Sequence, residues 1–253
     1  MLNVTKLSAG YGGGKVLKDV GFTAESGEVT VILGPNGCGK STLLKSLCGI
    51  LPADGEAKLG EENLLKLPPK ELAKRAAYLA QSRQIPDITA ERMVLHGRFP
   101  YLSYPRRYRP QDIAAAKSAM ERMGIADLAE KPLAQLSGGQ RQKVYIAMAL
   151  AQDTPLVLLD EPTTFLDISQ QFQMMEHARF LCQQGKTVVM VLHDITLAME
   201  VAEKLVVMDE GTVVKEGSVE EIFADGCIGR VFGVKLQRLK TEGGWHYFCE
   251  RMA

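Results

Sequence analysis

The sequence predicts an α/β fold in which helices flank a mainly parallel sheet, with an antiparallel β portion at the N-terminus and an inserted α-helical subdomain. Three observations predict it. The runs "PLVLLD" and "KTVVMVLH" are almost continuously apolar, as expected of strands buried on both faces of a parallel sheet. Helical patterns separate these runs, and such alternation implies right-handed crossovers. Finally, "GEVTVILG" leads straight into a glycine-rich loop that opens a helix.

In chain order, "LNVTKL" and "VLKDVGFTA" alternate apolar and polar residues like half-buried strands. After the loop, "KSTLLKSLCGI" places Leu43, Leu44 and Leu47 on one helical face, with Gly49 as its C-cap. "AAYLAQ" reads as a short strand ending at Gln81. The composition then changes, and from about Ser82 to Gln135 the pattern is helical. "TAERMVLHG" and "QDIAAAKSAMERMG" are its helices, joined by the proline-rich, basic and aromatic loop "RFPYLSYPRRYRP". "LAQLSGGQRQKVYIAMAL", Leu133 to Leu150, sets a serine and two glycines ahead of a long helical pattern. "KLVVMDEGTVVKEG" and "VKLQRLKTEGGWHYFCE" read as hairpins turning at Glu210-Gly211 and Gly243-Gly244. No internal repeat is visible.

The 253 residues suffice for one large domain or one domain with an insertion. A hydrophobic fraction of 46% and a charged fraction of 24% are those of a globular chain and exclude disorder. Lys plus Arg equals Asp plus Glu at 30 each, so no global field draws nucleic acid, and none is expected as a partner. The five cysteines are scattered without a Cys-x-x-Cys pair, which points to free thiols in a reducing compartment. The start lacks the basic flank and apolar run of a signal peptide, and no apolar run approaches the roughly 20 residues of a spanning helix. If the chain serves a membrane process, another chain must supply the membrane part.

"GPNGCGKST" fits the phosphate-binding loop G-x-x-x-x-G-K-[ST] in its required place between a buried strand and a helix, so the sheet is expected to be a P-loop NTPase core. Small residues let backbone N–H groups wrap a β-phosphate at the positive end of the helix, and Lys40 adds a charge that reaches the γ-phosphate. Ser41 is expected to ligate Mg²⁺. The Cys38 thiol has no chemical task there, and the nearby lysine and helix terminus would lower its pKa and sensitise the loop to thiol reagents. "LVLLDEPTTFLD" brings adjacent carboxylates to the mouth of a buried strand. Asp160 would hold Mg²⁺, directly or through water, while Glu161 would polarise a water for attack on the γ-phosphate. His193 ends the next apolar run at the same sheet edge. Gln81 ends another strand and would touch the metal or the attacking water.

With "LSGGQ" lying between the glycine loop and "LVLLDE", the chain closely resembles the ATP-binding cassette ATPases of transporters, from Leu2 to about Gly233. The resemblance implies one cassette over 1–235, with a RecA-like core at about 1–83 and 151–225, a helical subdomain at about 84–150, and a β-hairpin extension at 234–253. Nucleotide would be bound by Tyr11, stacked on adenine, and by Gly34, Pro35, Asn36, Gly37, Cys38, Gly39, Lys40, Ser41 and Thr42. Two copies would pair head to tail, so that Ser137, Gly138, Gly139 and Gln140 of one close on the ATP seated in the other. Asp167 resembles the aspartate at the dimer seam. Glu161 matches the general base, His193 the histidine that contacts the γ-phosphate, and Gln81 the glutamine linking nucleotide state to the membrane partner. Ser41, Gln81 and Asp160 would surround Mg²⁺.

"HGRFPYLSYP", "DEPTTFLDIS" and "VLHDITLAMEVAEKLVVMDEG" look like the ATPases of importers for iron–siderophore complexes, haem and vitamin B12. The implied partners are permease subunits and, indirectly, an extracytoplasmic binding protein, with the chain on the cytoplasmic face of the membrane. Ala80 stands where proline is common and Gln170 where histidine is frequent. The arginine-aromatic loop has three readings: a solvated loop, a surface for RNA or membrane, or a contact to a permease helix. Rival readings of the whole chain are a cassette ATPase outside transport and a nucleotide sensor that does not hydrolyse.

Overall fold

The structure is a computed structural model and describes residues 1–80, 85–164, 166–242 and 244–251. The chain runs β1 (Leu2–Tyr11), β2 (Gly14–Ala24), β3 (Val29–Leu33), α1 (Lys40–Leu47), β4 (Ala53–Leu59), β5 (Glu62–Asn63), α2 (Pro69–Leu72) and β6 (Ala76–Leu79). Next come α3 (Ala90–His96), α4 (Pro110–Arg122), α5 (Gly138–Gln152), β7 (Leu156–Asp160), α6 (Ile168–Gln183), β8 (Thr187–Val191) and α7 (Ile195–Val201). The chain continues through β9 (Lys204–Asp209), β10 (Thr212–Ser218), α8 (Val219–Asp225), α9 (Cys227–Phe232), β11 (Val234–Thr241) and β12 (Gly244–Arg251).

The main sheet has the order β10-β9-β3-β8-β7-β6, parallel except for the β10–β9 hairpin. Every residue of β3, β7 and β8 is buried, which is why those runs carry no polar alternation. Successive residues instead feed two separate cores. Val157 and Leu159 join Val144, Ala147 and Met174 from α5 and α6, whereas Leu156 and Leu158 join Leu43, Leu44 and Leu47 from α1. Each such side chain contributes about 1.5–3 kcal/mol on burial. Facing the α1 side lies a second, antiparallel sheet of order β2-β1-β4-β5.

Helix α1 ends as its sequence foretells. Gly49 is left-handed, its N–H donates to Ser46 O, and Ile50 N–H reaches back to Lys45 O, a Schellman closure. Helices α3, α4 and α5 pack together in the segment between β6 and β7. A buried ion pair ties them: Arg98 Nε donates to Asp112 Oδ1 at 3.2 Å, and its Nη1 donates to Ala151 O at 2.8 Å. Gln152 Nε2 in turn donates to Ala73 O at 2.7 Å, anchoring the end of α5 beside the start of β6.

Two expectations need adjustment, and two strands went unread. Strands β4 and β5 were not legible, because "ADGEAKL" carries several charges and fully buries only Ala57. The long helix starts at Gly138, and Leu133–Gln135 forms a separate 3₁₀ turn. The last hairpin pairs Thr241 with Gly244, so Gly244, expected in the turn, is already strand, and Gly243 lies outside the described residues. The β9–β10 turn falls at Glu210-Gly211 as expected, with φ of 44° and 84°. Among the described residues, no helix is long and apolar enough to cross a membrane.

Candidate functional site

The loop from β3 to α1 follows a path open only to glycine at two points. A Cβ on Gly34 would lie 2.4 Å from Met208 O, and one on Gly39 would lie 2.6 Å from Leu17 Cδ2 at a φ of +105°. The loop therefore hugs the end of β9 and hands its backbone to α1, whose first N–H groups have no partner within the helix. Those groups and the helix dipole make the loop an anion seat. Lys40 is 5% exposed, and its Nζ donates to Gly34 O at 2.7 Å and Pro35 O at 2.9 Å, which pins the ammonium under the loop. The cavity above it, of about 150 Å³, is lined by Asn36, Gly37, Gly39, Lys40, Ser41, Thr42, Glu161 and His193. Gly34, Pro35 and Cys38 do not line it, Cys38 being buried, and Tyr11, at the end of β1, is half exposed.

Asp160 ends β7 at that opening and is 5% exposed. Each of its carboxylate oxygens accepts a hydroxyl: Ser41 Oγ donates to Oδ1 at 2.9 Å and Tyr78 Oη to Oδ2 at 2.8 Å. Burial, followed by the hydrogen bond to Asp160, pushes the Tyr78 phenol well above its ordinary pKa, so it remains a donor. Tyr78 was missed at the sequence level. Its signal lay in the β6–β7 register, Tyr78↔Leu158, which points Tyr78, Leu158 and Asp160 to one face.

Glu161 adopts a φ of 49°, a conformation that non-glycine residues seldom take, and this turns the chain. Its carboxylate leaves Asp160 for the other side, where Oε1 contacts His193 Nε2 and Oε2 accepts from Thr164 Oγ1 at 3.3 Å. His193 follows β8 by two residues, as the strand-end reading requires. Gln81 lies outside the described residues. A hard divalent cation takes oxygen ligands, and the half-buried Ser41 hydroxyl and buried Asp160 carboxylate, hydrogen-bonded at the mouth of the phosphate seat, fit one.

The second cradle is built separately. Ser137 caps α5, and the cap is reciprocal: Ser137 Oγ accepts from Gln140 N at 3.3 Å while Gln140 Oε1 accepts from Ser137 N at 3.0 Å. The Gln170 side chain lies across Gly138 and Gly139, where added Cβ atoms would come 3.3 and 3.7 Å from it. Gln170 N in turn donates to Asp167 Oδ1 at 2.8 Å, so Asp167 caps α6 beside the tip of α5. Ser137, Gly138, Gly139 and Gln140 do not line the cavity of their own phosphate loop.

A wider cleft of about 550 Å³ opens next to the site, between Tyr78, Met93, Tyr145 and Met148 on one side and Glu161 and Pro162 on the other. In the arginine-aromatic loop, Arg106 stacks 4.7 Å over Phe99, Arg109 Nη2 donates to Tyr101 O at 3.1 Å, and Tyr104 is fully exposed. The expectation for Cys38 is corrected. Its Sγ is packed against Gly34, and burial raises the thiol pKa, outweighing the lowering effect of the Lys40 charge.

A sequence model of the ABC transporter family matches residues 17–164. The Iron(3+)-hydroxamate import ATP-binding protein FhuC of Bacillus subtilis is 39% identical over 239 residues, covering 93% of this chain and 89% of the relative. The Ferric enterobactin transport ATP-binding protein FepC of Escherichia coli is 41% identical over 233 residues, covering 91% and 86%. Among solved structures, a chain from an inward-facing "metal-chelate type ABC transporter" superposes with a TM-score of 0.85 at 26% identity, covering 100% of this chain and 97% of that one.

Proposed function

The chain belongs to the ABC transporter family, and from that premise we propose that it is the ATP-hydrolysing subunit of an importer for a metal chelate of the iron–siderophore, haem or cobalamin type. Supporting the cargo class are the iron-chelate import proteins to which the chain is similar over nine-tenths of its length. Its cassette spans about 1–235, with the helical subdomain of about 84–150 inserted between core segments 1–83 and 151–225.

In this reading Gly34 to Thr42 enclose the phosphates, Lys40 neutralises them, and Tyr11 stacks on adenine. Ser41 and Asp160, with Gln81, would hold Mg²⁺, which when bound would supply Lewis-acid stabilisation of phosphate charge. Glu161 accepts a proton from water as its oxygen bonds to the γ-phosphorus. The bond from that phosphorus to the bridging oxygen then breaks, leaving ADP and phosphate. His193 orients both Glu161 and the γ-phosphate. A second copy of the chain brings Ser137, Gly138, Gly139 and Gln140 onto the same nucleotide, with Asp167 at the seam, so ATP bridges two subunits and ADP does not. Gln81 links the nucleotide state to the permease, the wide cleft receives a permease helix that holds the chain at the cytoplasmic side of the membrane, and an extracytoplasmic binding protein delivers the cargo.

One observation carries the reading. Asp160 and Glu161, adjacent in sequence, are turned by a left-handed residue toward different partners at a single phosphate opening, one to a hydroxyl and one to a histidine. Glu161→Gln should therefore cut ATP turnover by about 10²-fold or more while leaving Mg·ATP bound, and should trap a dimer in sedimentation. Normal turnover would remove Glu161 from its role. A variant saturated with Mg·ATP that stays a monomer beside its permease would overturn the pairing.

A further inference from the structure

We propose that Tyr78 is a positioning residue for the metal site: its hydroxyl fixes one oxygen of the Asp160 carboxylate and so sets the orientation in which Asp160 and Ser41 receive Mg²⁺. The inference rests on the reading above that these two residues hold the ion, and it adds a third from a separate strand.

Asp160 is nearly enclosed, so its oxygens depend on protein donors for solvation, and among the described residues the donors are the two hydroxyls. They differ in kind. Ser41 sits on the first turn of α1 and is itself an expected metal ligand, so its bond to Oδ1 joins two members of one coordination set. Tyr78 comes from β6, across a parallel ladder from β7, on a rigid ring with few rotamers, and its hydroxyl donates to Oδ2 at 2.8 Å. A carboxylate with one oxygen fastened to such a donor cannot rotate about its terminal torsion, which is otherwise soft. The fastening leaves Oδ1, the oxygen facing Ser41, for the ion. The arrangement matches the way outer hydrogen-bond partners orient metal ligands elsewhere.

The test titrates free Mg²⁺ against binding of the non-hydrolysable analogue adenylyl imidodiphosphate, followed by calorimetry, in the wild type, Tyr78→Phe and Asp160→Asn. Tyr78→Phe should weaken the Mg²⁺-dependent gain in nucleotide affinity by about tenfold, or about 1.4 kcal/mol, while affinity in excess chelator and the melting temperature stay near wild type. Asp160→Asn should abolish the gain. If Asp160→Asn loses it and Tyr78→Phe keeps it, the role of Tyr78 is overturned and the metal reading stands. If neither variant changes the Mg²⁺ titration, the metal reading falls as well. Equal losses with and without Mg²⁺ in Tyr78→Phe would make Tyr78 merely structural and also overturn the proposal. Should that variant not fold, 4-fluorophenylalanine placed at position 78 keeps the ring and removes the donor to Asp160. Its Mg²⁺-dependent gain should fall in the same way, and a wild-type gain would overturn the role of Tyr78.

Discussion

Cys38 shows how a residue inside a motif can be misjudged from its neighbours in sequence. Lys40 and the helix start favour a thiolate, yet burial of Sγ against Gly34 opposes it and prevails, so the folded pKa lies above the ordinary thiol value. A raised pKa leaves less thiolate at any given pH, and reactivity rises only under alkaline conditions. Brief maleimide treatment at neutral pH should accordingly label exposed Cys249 well before Cys38, as read by peptide mass spectrometry; prompt labelling at Cys38 would contradict the burial argument. Tyr78 failed in the opposite direction. Nothing local marks it, since its partner is 82 positions away and only strand register brings them together. Residues such as Lys40, Asp160 and His193 were readable because spacing relative to strand ends decides where they go.

At the level of elements, legibility followed burial. β3, β7 and β8 announce themselves because both faces meet a core, and α1 because three leucines share a face and Gly49 closes it. Strand β4 does not, since a single fully buried residue and several charges give no period to count. The helices between β6 and β7 were visible, but what fastens them was not. Arg98 and Asp112 are 14 positions apart on a loop and a helix, and Asp112 is fully buried. Removing one partner of such a pair strands the other charge, so Arg98→Leu should lower unfolding stability by about 3–5 kcal/mol. By comparison, Arg75→Ala, which breaks an exposed pair with Glu62, should change stability far less. Chemical denaturation of the two variants measures the difference. Equal effects would mean that the Arg98 pair is solvated.

For the whole molecule, the groups assigned to chemistry gather at one rim of the main sheet: the loop after β3, Tyr78 on β6, Asp160 at the end of β7 and His193 after β8. Parallel strands make this unavoidable, because every strand delivers its C-terminal end to the same side. The other rim is stitched by its own contacts, including Ser26 Oγ to Gly185 O at 2.6 Å, Val29 N to Glu203 Oε2 at 2.7 Å and Lys186 Nζ to Thr154 O at 2.8 Å. A five-residue strand separates the two rims by about 17 Å. That distance offers the experimenter a handle. A short epitope or a fluorophore spliced in after Gln184 should leave affinity for adenylyl imidodiphosphate within about twofold, as a surface change remote from the ligand contributes little, and a large loss would show that the back of the sheet is not inert. A dye carried there could report whether two copies meet as proposed, without standing in the way of the phosphate rim.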